Sequence, residues 1–476
     1  MAYLARHGDY LRGIFEISPG LALGPPARLF LGSLKSMRST PLKVVCYVPT
    51  FNAGDTTRGI EVTRALEARA EEAGRELDIL FVCPPIKVAH FEALILKAGY
   101  RIAHTAVPLS QADIDNFMNA DRTGEEFIPE YDRAKLYIEK YMENLKEHKP
   151  DLLINGCIPP AGVAARILGI PTVTYFPFPA DKTWVERYFL KDIPDQLENA
   201  LTLKLPIFLR AKLTRLLSKL ATKQRFFSQP TLARAGRELG WNEPMPGIFT
   251  MLKADVELVT DLAIFYEGQE LGARTRITGP LFSKGADAVI DPKILEMFHA
   301  KNANKVLVTM GSSGEKKHLL EAIAAVSQAG YHAVVVVQPT ICSIAEVRAR
   351  LQIPPHVYLT DAFIPAHLVN PLADAVIIHG GQGTVQNAMY SGTPFVGVGM
   401  QAEQQTNLDN FSLQGAGIRI ARKFWRRDAI AKALTRVLAE PSFKSNAARM
   451  AQSFAGIDGY KEAGNAIWEL VEARNL

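Results

Sequence analysis

Short, continuously apolar runs rich in β-branched residues alternate along this chain with longer stretches whose apolar positions recur at helical spacing. The short runs are Lys43–Pro49, Asp78–Cys83, Leu152–Asn155, Pro171–Tyr175, Val256–Thr260, Lys305–Thr309, His332–Val337, Val357–Thr360 and Ala375–His379. Segments such as HAVVVV and DAVIIH lack the in–out alternation of a half-exposed strand, as expected where helices cover both faces of a sheet. Helical periodicity marks Gly59–Ala73, Glu130–Glu147, Gly162–Leu168, His318–Gln328, Gly383–Ser391, Arg427–Leu438 and Gly459–Ala473. Strands alternating with helices predict parallel βαβ units. After Thr278-Gly279-Pro280-Leu281 a polar stretch intervenes, and KVLVTMGSSG opens a fresh strand–loop–helix unit. The expected fold is therefore α/β, with two Rossmann-like domains facing across a cleft. Its parts are an extension at 1–40, a first domain at 41–283, a second at 284–455, and a final helix within 456–476 that packs back on the first.

Composition narrows this picture. With 48% apolar and 22% charged residues over 476 positions, the chain is no disordered polymer. Cys46, Cys83, Cys157 and Cys342 are far apart and form no Cys-x-x-Cys pair. Buried free thiols in a reducing compartment, hence a cytoplasmic protein, are the expectation. No apolar stretch approaches the roughly 20 residues of a membrane span, and Pro25 and Pro26 interrupt any signal-peptide layout. Leu4, Leu11, Ile14 and Phe15 share one helix face in the extension, which packs on the body or docks on a membrane.

A net charge of +5 is too mild to point to nucleic acid. Its location says more. Leu201–Gln229 carries Lys204, Arg210, Lys212, Arg215, Lys219, Lys223 and Arg225 with no acidic residue, leaving the remainder near neutral. Leu209, Leu213, Leu216, Leu217 and Leu220 recur there at helical spacing, with a basic stripe on another face. The helix either packs on the first domain with its charges solvated, the commoner outcome, or lies on an anionic membrane or guides an anionic acceptor.

The strongest chemical signal is DAVIIHGGQGTVQNAMYSGTPFVGVGMQAEQQTN at 374–407. An apolar strand ends at His379, and a helix begins near Gly383-Thr384 after Gly380 and Gly381. Glycines let a phosphate approach the backbone, and the helix start offers free N–H groups and its positive dipole end. A tight turn needing positive φ would place glycines there too. The sequel favours a ligand site. Gly392-Thr393-Pro394 and a strand-like FVGV precede Glu403-Gln404 and Asn407, a carboxylate and amides suited to vicinal hydroxyls at the ligand-binding rim of an open sheet.

In these residues the chain resembles the UDP-glycosyltransferase superfamily, two-domain inverting enzymes of the GT-B type that use nucleotide-sugar donors. The family's donor signature is met by Phe363-Ile364-Pro365, His379-Gly380-Gly381, Thr384, Gly392-Thr393-Pro394 and Glu403-Gln404. VLVTMGSSG resembles the family's phosphate-facing loop, and the likeness extends over most of the chain. The resemblance implies that Phe363 faces the donor base and the Ile364 backbone bonds its edge. Gly311, Ser312, His379, Gly381, Gly383 and Thr384 would hold the diphosphate, and Glu403 and Gln404 the sugar hydroxyls. Two positions depart from the pattern: the ribose-gripping Glu is Asn387, which loses charge assistance, and the Gln after Pro365 is Ala366.

The first strand runs into NAGDTTRG, where the family has Gly-His-x-x-Pro or Gly-His-x-x-Arg and the His takes the acceptor's proton. Gly54 and Arg58 match, and the His position is Asp55. A solvated Asp is a weak base at neutral pH. Asp55 therefore serves as the base with a pKa raised by burial, or it caps the following helix. Asp181, in the aromatic loop YFPFPADKTW, is a second acceptor-side candidate. The histidines show no metal-ligand spacing, so no metal and no cofactor is expected, the nucleotide-sugar being a co-substrate. The implied activity is metal-independent transfer of a hexosyl-type sugar from a UDP- or dTDP-sugar to a small-molecule or lipid-like acceptor. Two alternatives share the architecture: a catalytically silent nucleotide- or partner-binding protein, and a nucleotide-sugar epimerase.

Overall fold

Among the described residues, thirteen strands make two separate sheets in which every pairing is parallel. The structure, a computed structural model, describes residues 40–86, 91–223, 225–242, 247–282, 289–300 and 303–476. The extension anticipated at 1–40 thus lies outside the described residues, Thr40 apart, as does the boundary expected at 283/284.

The first sheet contains β1 (Leu42–Tyr47), β2 (Leu77–Cys83), β3 (Arg101–His104), β4 (Leu152–Asn155), β5 (Thr172–Phe176), β6 (Val256–Val259) and β7 (Thr275–Ile277), in the order β3-β2-β1-β4-β5-β6-β7. The second contains β8 (Lys305–Thr309), β9 (His332–Val336), β10 (Val357–Thr360), β11 (Ala375–Ile378), β12 (Phe395–Gly397) and β13 (Gly417–Arg419), in the order β10-β9-β8-β11-β12-β13. The helices that matter below are α1 (Ala53–Glu72), α2 (Tyr131–His148), α3 (Pro159–Leu168), α4 (Ile207–Ala221), α5 (Lys316–Ala329), α6 (Gln382–Tyr390), α7 (Ala402–Ser412), α8 (Arg427–Ala439) and α9 (Gly459–Arg474).

Both sheets are buried on both faces, which is why their central strands carry unbroken apolar runs. In the second sheet Val306, Val308, Val335 and Ile377 pack toward α5 and α8. Their neighbours Leu307, Val334, Val376 and Ile378 pack toward α6 and α7 on the opposite side. The first sheet splits likewise, Val45, Tyr47 and Leu153 facing α2 and α3 while Val44, Cys46 and Ile154 face α1. The same face is completed by α9, whose Ala463, Ala466, Ile467, Leu470 and Val471 join the β1–β5 core. Gly464 permits that approach, since a Cβ there would stand 2.5 Å from the Ala65 carbonyl oxygen.

Helix α1 begins at Ala53, six residues before the apolar periodicity starts at Gly59. Asn52 caps it, its side chain accepting from Gly54 N at 2.9 Å, and the Thr56 and Thr57 hydroxyls turn back onto the carbonyls of Asn52 and Ala53. Strands β3 and β13 have no counterpart in the apolar pattern, being short edge strands with one or two aliphatic residues.

The halves are tied together by buried charge. Arg419, 6% exposed, pairs with Asp409 of its own half (2.5 Å) and with Glu198 (2.7 Å) across the boundary. Arg422 grips Asp195 through Nε at 3.0 Å and through its backbone N–H at 2.8 Å. Gln405 adds bonds to Asp195 N and the Ile193 carbonyl, both 2.9 Å. Replacing Arg419 by Met leaves its carboxylate partners without that counter-charge, and a loss of about 3–5 kcal/mol in unfolding free energy is expected. Arg436→Ala, which removes an exposed pair with Glu440, is expected to cost below about 1 kcal/mol. Denaturant titration of the two variants checks this, and equal losses would contradict the assignment of Arg419 as the buried tie.

Candidate active site

The strand order of the first sheet reverses between β1 and β4, and that of the second between β8 and β11. At such switch points an open parallel sheet leaves a crevice outside the carboxyl ends of its strands. Here the two crevices face each other. Ala53 N donates to Ser312 Oγ at 3.3 Å, joining the start of α1 to the loop after β8. Arg58 Nη2 donates to Gln382 Oε1 at 2.9 Å, joining α1 to the start of α6. Gln382 also accepts from the Thr260 hydroxyl (3.1 Å) and donates to the Pro177 carbonyl (3.2 Å). Gln386, one turn on, donates to the Thr260 carbonyl and to Asp261 Oδ1, both at 3.0 Å.

Asp55 lies in the first turn of α1, its side chain 18% exposed. It is not the cap, a role Asn52 fills. One carboxylate oxygen accepts from Asn52 Nδ2 at 3.0 Å, the other pairs with Arg58 Nη1 at 3.1 Å. Tyr175 Oη holds its backbone carbonyl at 2.9 Å. Burial raises the Asp55 pKa above the ordinary carboxylate value, and the adjacent Arg58 opposes that rise through charge and hydrogen bonding. The result is a carboxylate that is fixed in direction, poorly hydrated and more basic than one in water.

On the facing rim the His379 ring is wedged between two glycines. A Cβ on Gly311 would meet the ring at 2.2 Å, and one on Gly381 at 2.5 Å. Gly311 also holds φ +53, a region few side chains tolerate. Burial pushes the His379 pKa down to about 4, so the ring is neutral at pH 7. Its Nδ1 finds no hydrogen-bond partner among the described residues.

Gly383 behaves differently. It sits in the first turn of α6, and nothing lies within 4 Å of the place its Cβ would take. The fold does not require a glycine there; a side chain would only enter the cleft. Thr384 lines the same cleft, and Asn387 follows one turn later, its amide donating to the Gly383 carbonyl at 2.7 Å. Backbone N–H groups at the start of α6, small residues around them and the neutral His379 make a cradle suited to an anion. Phe363, 74% exposed, stands on the cleft wall beside Ile364, a free aromatic face for a planar ring.

Glu403 lines the cleft from the first turn of α7 and accepts from Asn407 Nδ2 at 2.6 Å. Gln404 lines it too, but its carboxamide is engaged: Oε1 accepts from Met400 N and Nε2 donates to Ser313 Oγ, both at 2.9 Å. It braces the loop after β8, and the Glu-Gln pair expected to bind together is divided between a cleft carboxylate and a brace.

Beneath Asp55 the cleft continues into the first half as part of a cavity of about 800 Å³. Phe117, Phe127, Phe176, Phe178, Phe189, Ile248 and Phe249 line this end. Cys157, held at φ +64 in the turn after β4, also faces it.

Asp181 is placed elsewhere. Its Oδ1 accepts from Trp184 N at 2.9 Å, capping a short helix, and it lines a separate polar cavity with Lys182, Lys253, Glu257 and Arg274. The aromatic loop around it does reach the main cavity, through Phe176, Phe178 and Ala180. Among the described residues no His, Cys, Asp or Glu cluster could hold a metal ion, and no helix is long and apolar enough to cross a membrane. Sequence reading missed Gln382, Gln386 and the bridging part of Arg58. Only the placement of Gln382 inside Gly-Gly-Gln-Gly hinted that its side chain meets something.

Two parallel Rossmann-like halves facing across a cleft define the GT-B architecture. Comparison with known proteins agrees. Residues 329–464 match the model for the erythromycin biosynthesis protein CIII-like C-terminal domain. A PGL/p-HBAD biosynthesis rhamnosyltransferase of Mycobacterium bovis is 24% identical over 328 residues, 67% of either chain. The 4'-demethylrebeccamycin synthase of Lentzea aerocolonigenes is 32% identical over 111 residues, 23% of this chain and 26% of that one. Among solved structures, spinosyn forosaminyltransferase SpnP has a TM-score of 0.60 at 15% identity, covering 91% of this chain and 100% of its own. Glycosyltransferase VinC, solved in complex with dTDP, has a TM-score of 0.58 at 18% identity over the same shares. The chain is thus similar to glycosyltransferases over most of its length, in keeping with its resemblance to the UDP-glycosyltransferase superfamily.

The two kinds of glycine separate fold from ligand. Gly383→Ala is expected to leave thermal stability unchanged or slightly raised, since Ala gains up to about 1 kcal/mol over Gly in a helix. It should nonetheless weaken dTDP or UDP binding roughly tenfold or more, because the methyl group occupies the approach to the helix start. Gly311→Ala should lose stability as well as affinity. Calorimetric titration beside thermal melts checks both, and wild-type nucleotide affinity in Gly383→Ala would remove this cradle as the diphosphate site.

Proposed function

We propose that this chain is an inverting glycosyltransferase that moves a sugar from a UDP- or dTDP-sugar to a lipophilic small-molecule or lipid-like acceptor. One observation carries the reading: across a single cleft, a half-buried and oriented carboxylate on an apolar cavity faces a glycine-lined helix start with a neutral imidazole. The named activities of the mycobacterial rhamnosyltransferase and the rebeccamycin synthase, and the dTDP bound by VinC, support it.

In this reaction Phe363 stacks on the base, with the Ile364 backbone at its edge, and Asn387 meets the ribose. Gly311, Ser312, Gly381, Gly383 and Thr384 surround the diphosphate, where His379 donates one hydrogen bond without adding charge. Glu403 binds sugar hydroxyls. Asp55 accepts the acceptor's hydroxyl proton as that oxygen attacks C1 of the sugar from the face opposite the diphosphate. The C1–O bond to phosphate breaks, and its electron pair leaves with the diphosphate, whose developing charge the α6 N–H groups and dipole stabilise. No metal ion is needed for this charge balance, and no cofactor takes part. Acceptors should be largely apolar, because the walls of the cavity beside Asp55 are mostly aromatic and aliphatic.

Incubating the full chain with UDP- and dTDP-sugars and hydrophobic alcohols or phenols, with products followed by mass spectrometry, tests the reading. Asp55→Asn is expected to lower kcat by about 10²–10⁴ with nucleotide affinity nearly unchanged. Transfer that needs no acceptor and alters the sugar itself would instead make the protein an epimerase, and nucleotide binding with no sugar consumed would make it a silent relative.

The raised pKa of Asp55 fixes the pH behaviour. The base must be ionised, so activity falls as pH drops through that pKa, at a higher pH than an ordinary carboxylate would give. Arg58 stabilises the ionised form, hence Arg58→Gln should move the acid limb of kcat/KM to still higher pH. An unmoved limb would dissociate Asp55 from proton removal.

A further inference from the structure

Helix α4 is turned the wrong way for a helix facing water. Its buried positions are polar: Thr214 and Ser218 are 1% and 2% exposed. Arg210 is held inward by Asp192, with Nε–Oδ1 at 2.9 Å and a second contact through Nη2. Three of its five leucines point outward, Leu209, Leu216 and Leu220 being 40%, 56% and 50% exposed, with Phe208 at 62%. The leucines read from the sequence as one inward face are divided: Leu213 and Leu217 are half-buried, and the other three form the outer surface.

At about 100° per residue, Leu209, Leu216 and Leu220 form one stripe, and Lys212, Arg215 and Lys219 form a second directly beside it. The preceding turn, Ala200–Lys204, extends both with Leu201 (78% exposed), Leu203 and Lys204. Between Leu201 and Gln229 there is no acidic residue. The apolar surface is also continuous with the cavity, whose lining includes Leu197, Leu217 and Leu220.

We propose that the outer face of Ala200–Ala221 docks on the surface of an anionic lipid bilayer, so that the mouth of the cavity opens onto the acyl layer from which a lipid acceptor enters. This rests on the glycosyltransferase reading for the acceptor but not for the docking itself. A leucine stripe flanked by cations matches the interface of such a bilayer, apolar chains lying next to phosphate charge. A second copy of the chain is a poorer occupant, because the cationic stripe would meet its own kind.

Co-sedimentation of the full chain with phosphatidylcholine vesicles, with and without phosphatidylglycerol, tests the proposal. Binding is expected only to the anionic vesicles and should weaken as salt is raised. The triple charge reversal Lys212→Glu, Arg215→Glu, Lys219→Glu is expected to lower the partition coefficient roughly a hundredfold or more. Leu209→Ser with Leu216→Ser should lower it roughly tenfold or more. None of these five side chains lines the cleft, so dTDP and UDP affinity should stay at the wild-type value in both variants, which also shows that they fold. Equal binding to neutral vesicles, or anionic binding that both variants retain, overturns the proposal. So does self-association through this face without vesicle binding. Vesicle binding lost in the variants while no sugar is ever transferred would uphold the docking and sink the glycosyltransferase reading instead.

Discussion

Parallel pairing is the constraint from which the remainder of this structure follows. With every strand of a sheet running the same way, all carboxyl ends lie on one rim, and each must be followed by a loop and a crossover before the next strand begins. Two such rims brought face to face concentrate loop backbone, helix starts and a few polar side chains in one cleft. The apolar interiors stay away from it. That arrangement lets a chain whose core is largely apolar maintain a half-buried carboxylate, a neutral imidazole and open helix N–H groups within one site.

Keeping the rims apposed falls to groups beside the cleft and on its floor. Arg419 and Arg422 gather Asp195, Glu198 and Asp409, while Gln382 and Gln386 reach from α6 to Thr260, Asp261 and Pro177. The division of labour is physical. Charge pairs need exclusion from water to be strong, so the tie is buried at the side of the cleft. Amides bond well in either environment, and they occupy the floor. Arg58 belongs to both systems, since one guanidinium steadies Asp55 and touches the floor through Gln382.

Much of the fold could be read from the residues because it is local: continuous valine and isoleucine runs mark strands buried on both sides, and the glycines around His379 mark a turn of unusual closeness. The cleft-lining residues that could be singled out, Gly311, Ser312, His379, Gly381, Gly383 and Thr384, are those whose place depends on backbone shape. What escaped notice depends on separation along the chain. Gln382 meets Arg58 at 324 positions' distance and Arg422 meets Asp195 at 227, and no local pattern encodes either. Asp181 was misplaced because an Asp at a strand's end serves a helix cap as readily as a ligand. Helix α4 shows the limit of periodicity: spacing identifies an apolar stripe but not which side of it the protein takes. Edge strands β3 and β13 were invisible because an edge needs little apolar surface.

The return of α9 to the first sheet has a consequence for how the molecule is made. The β1–β5 face that Ala463, Ile467 and Val471 cover is complete in every other respect once β6 exists, yet it stays open while the entire second half is translated. A nascent chain therefore carries an exposed apolar floor while the second half is made, the condition that favours holding by chaperones and mispairing between neighbouring chains on one message. The helix that closes the floor acts as a late clasp. Assembly of the first half thus waits on residues made after the second, even though its strands come earlier in the chain.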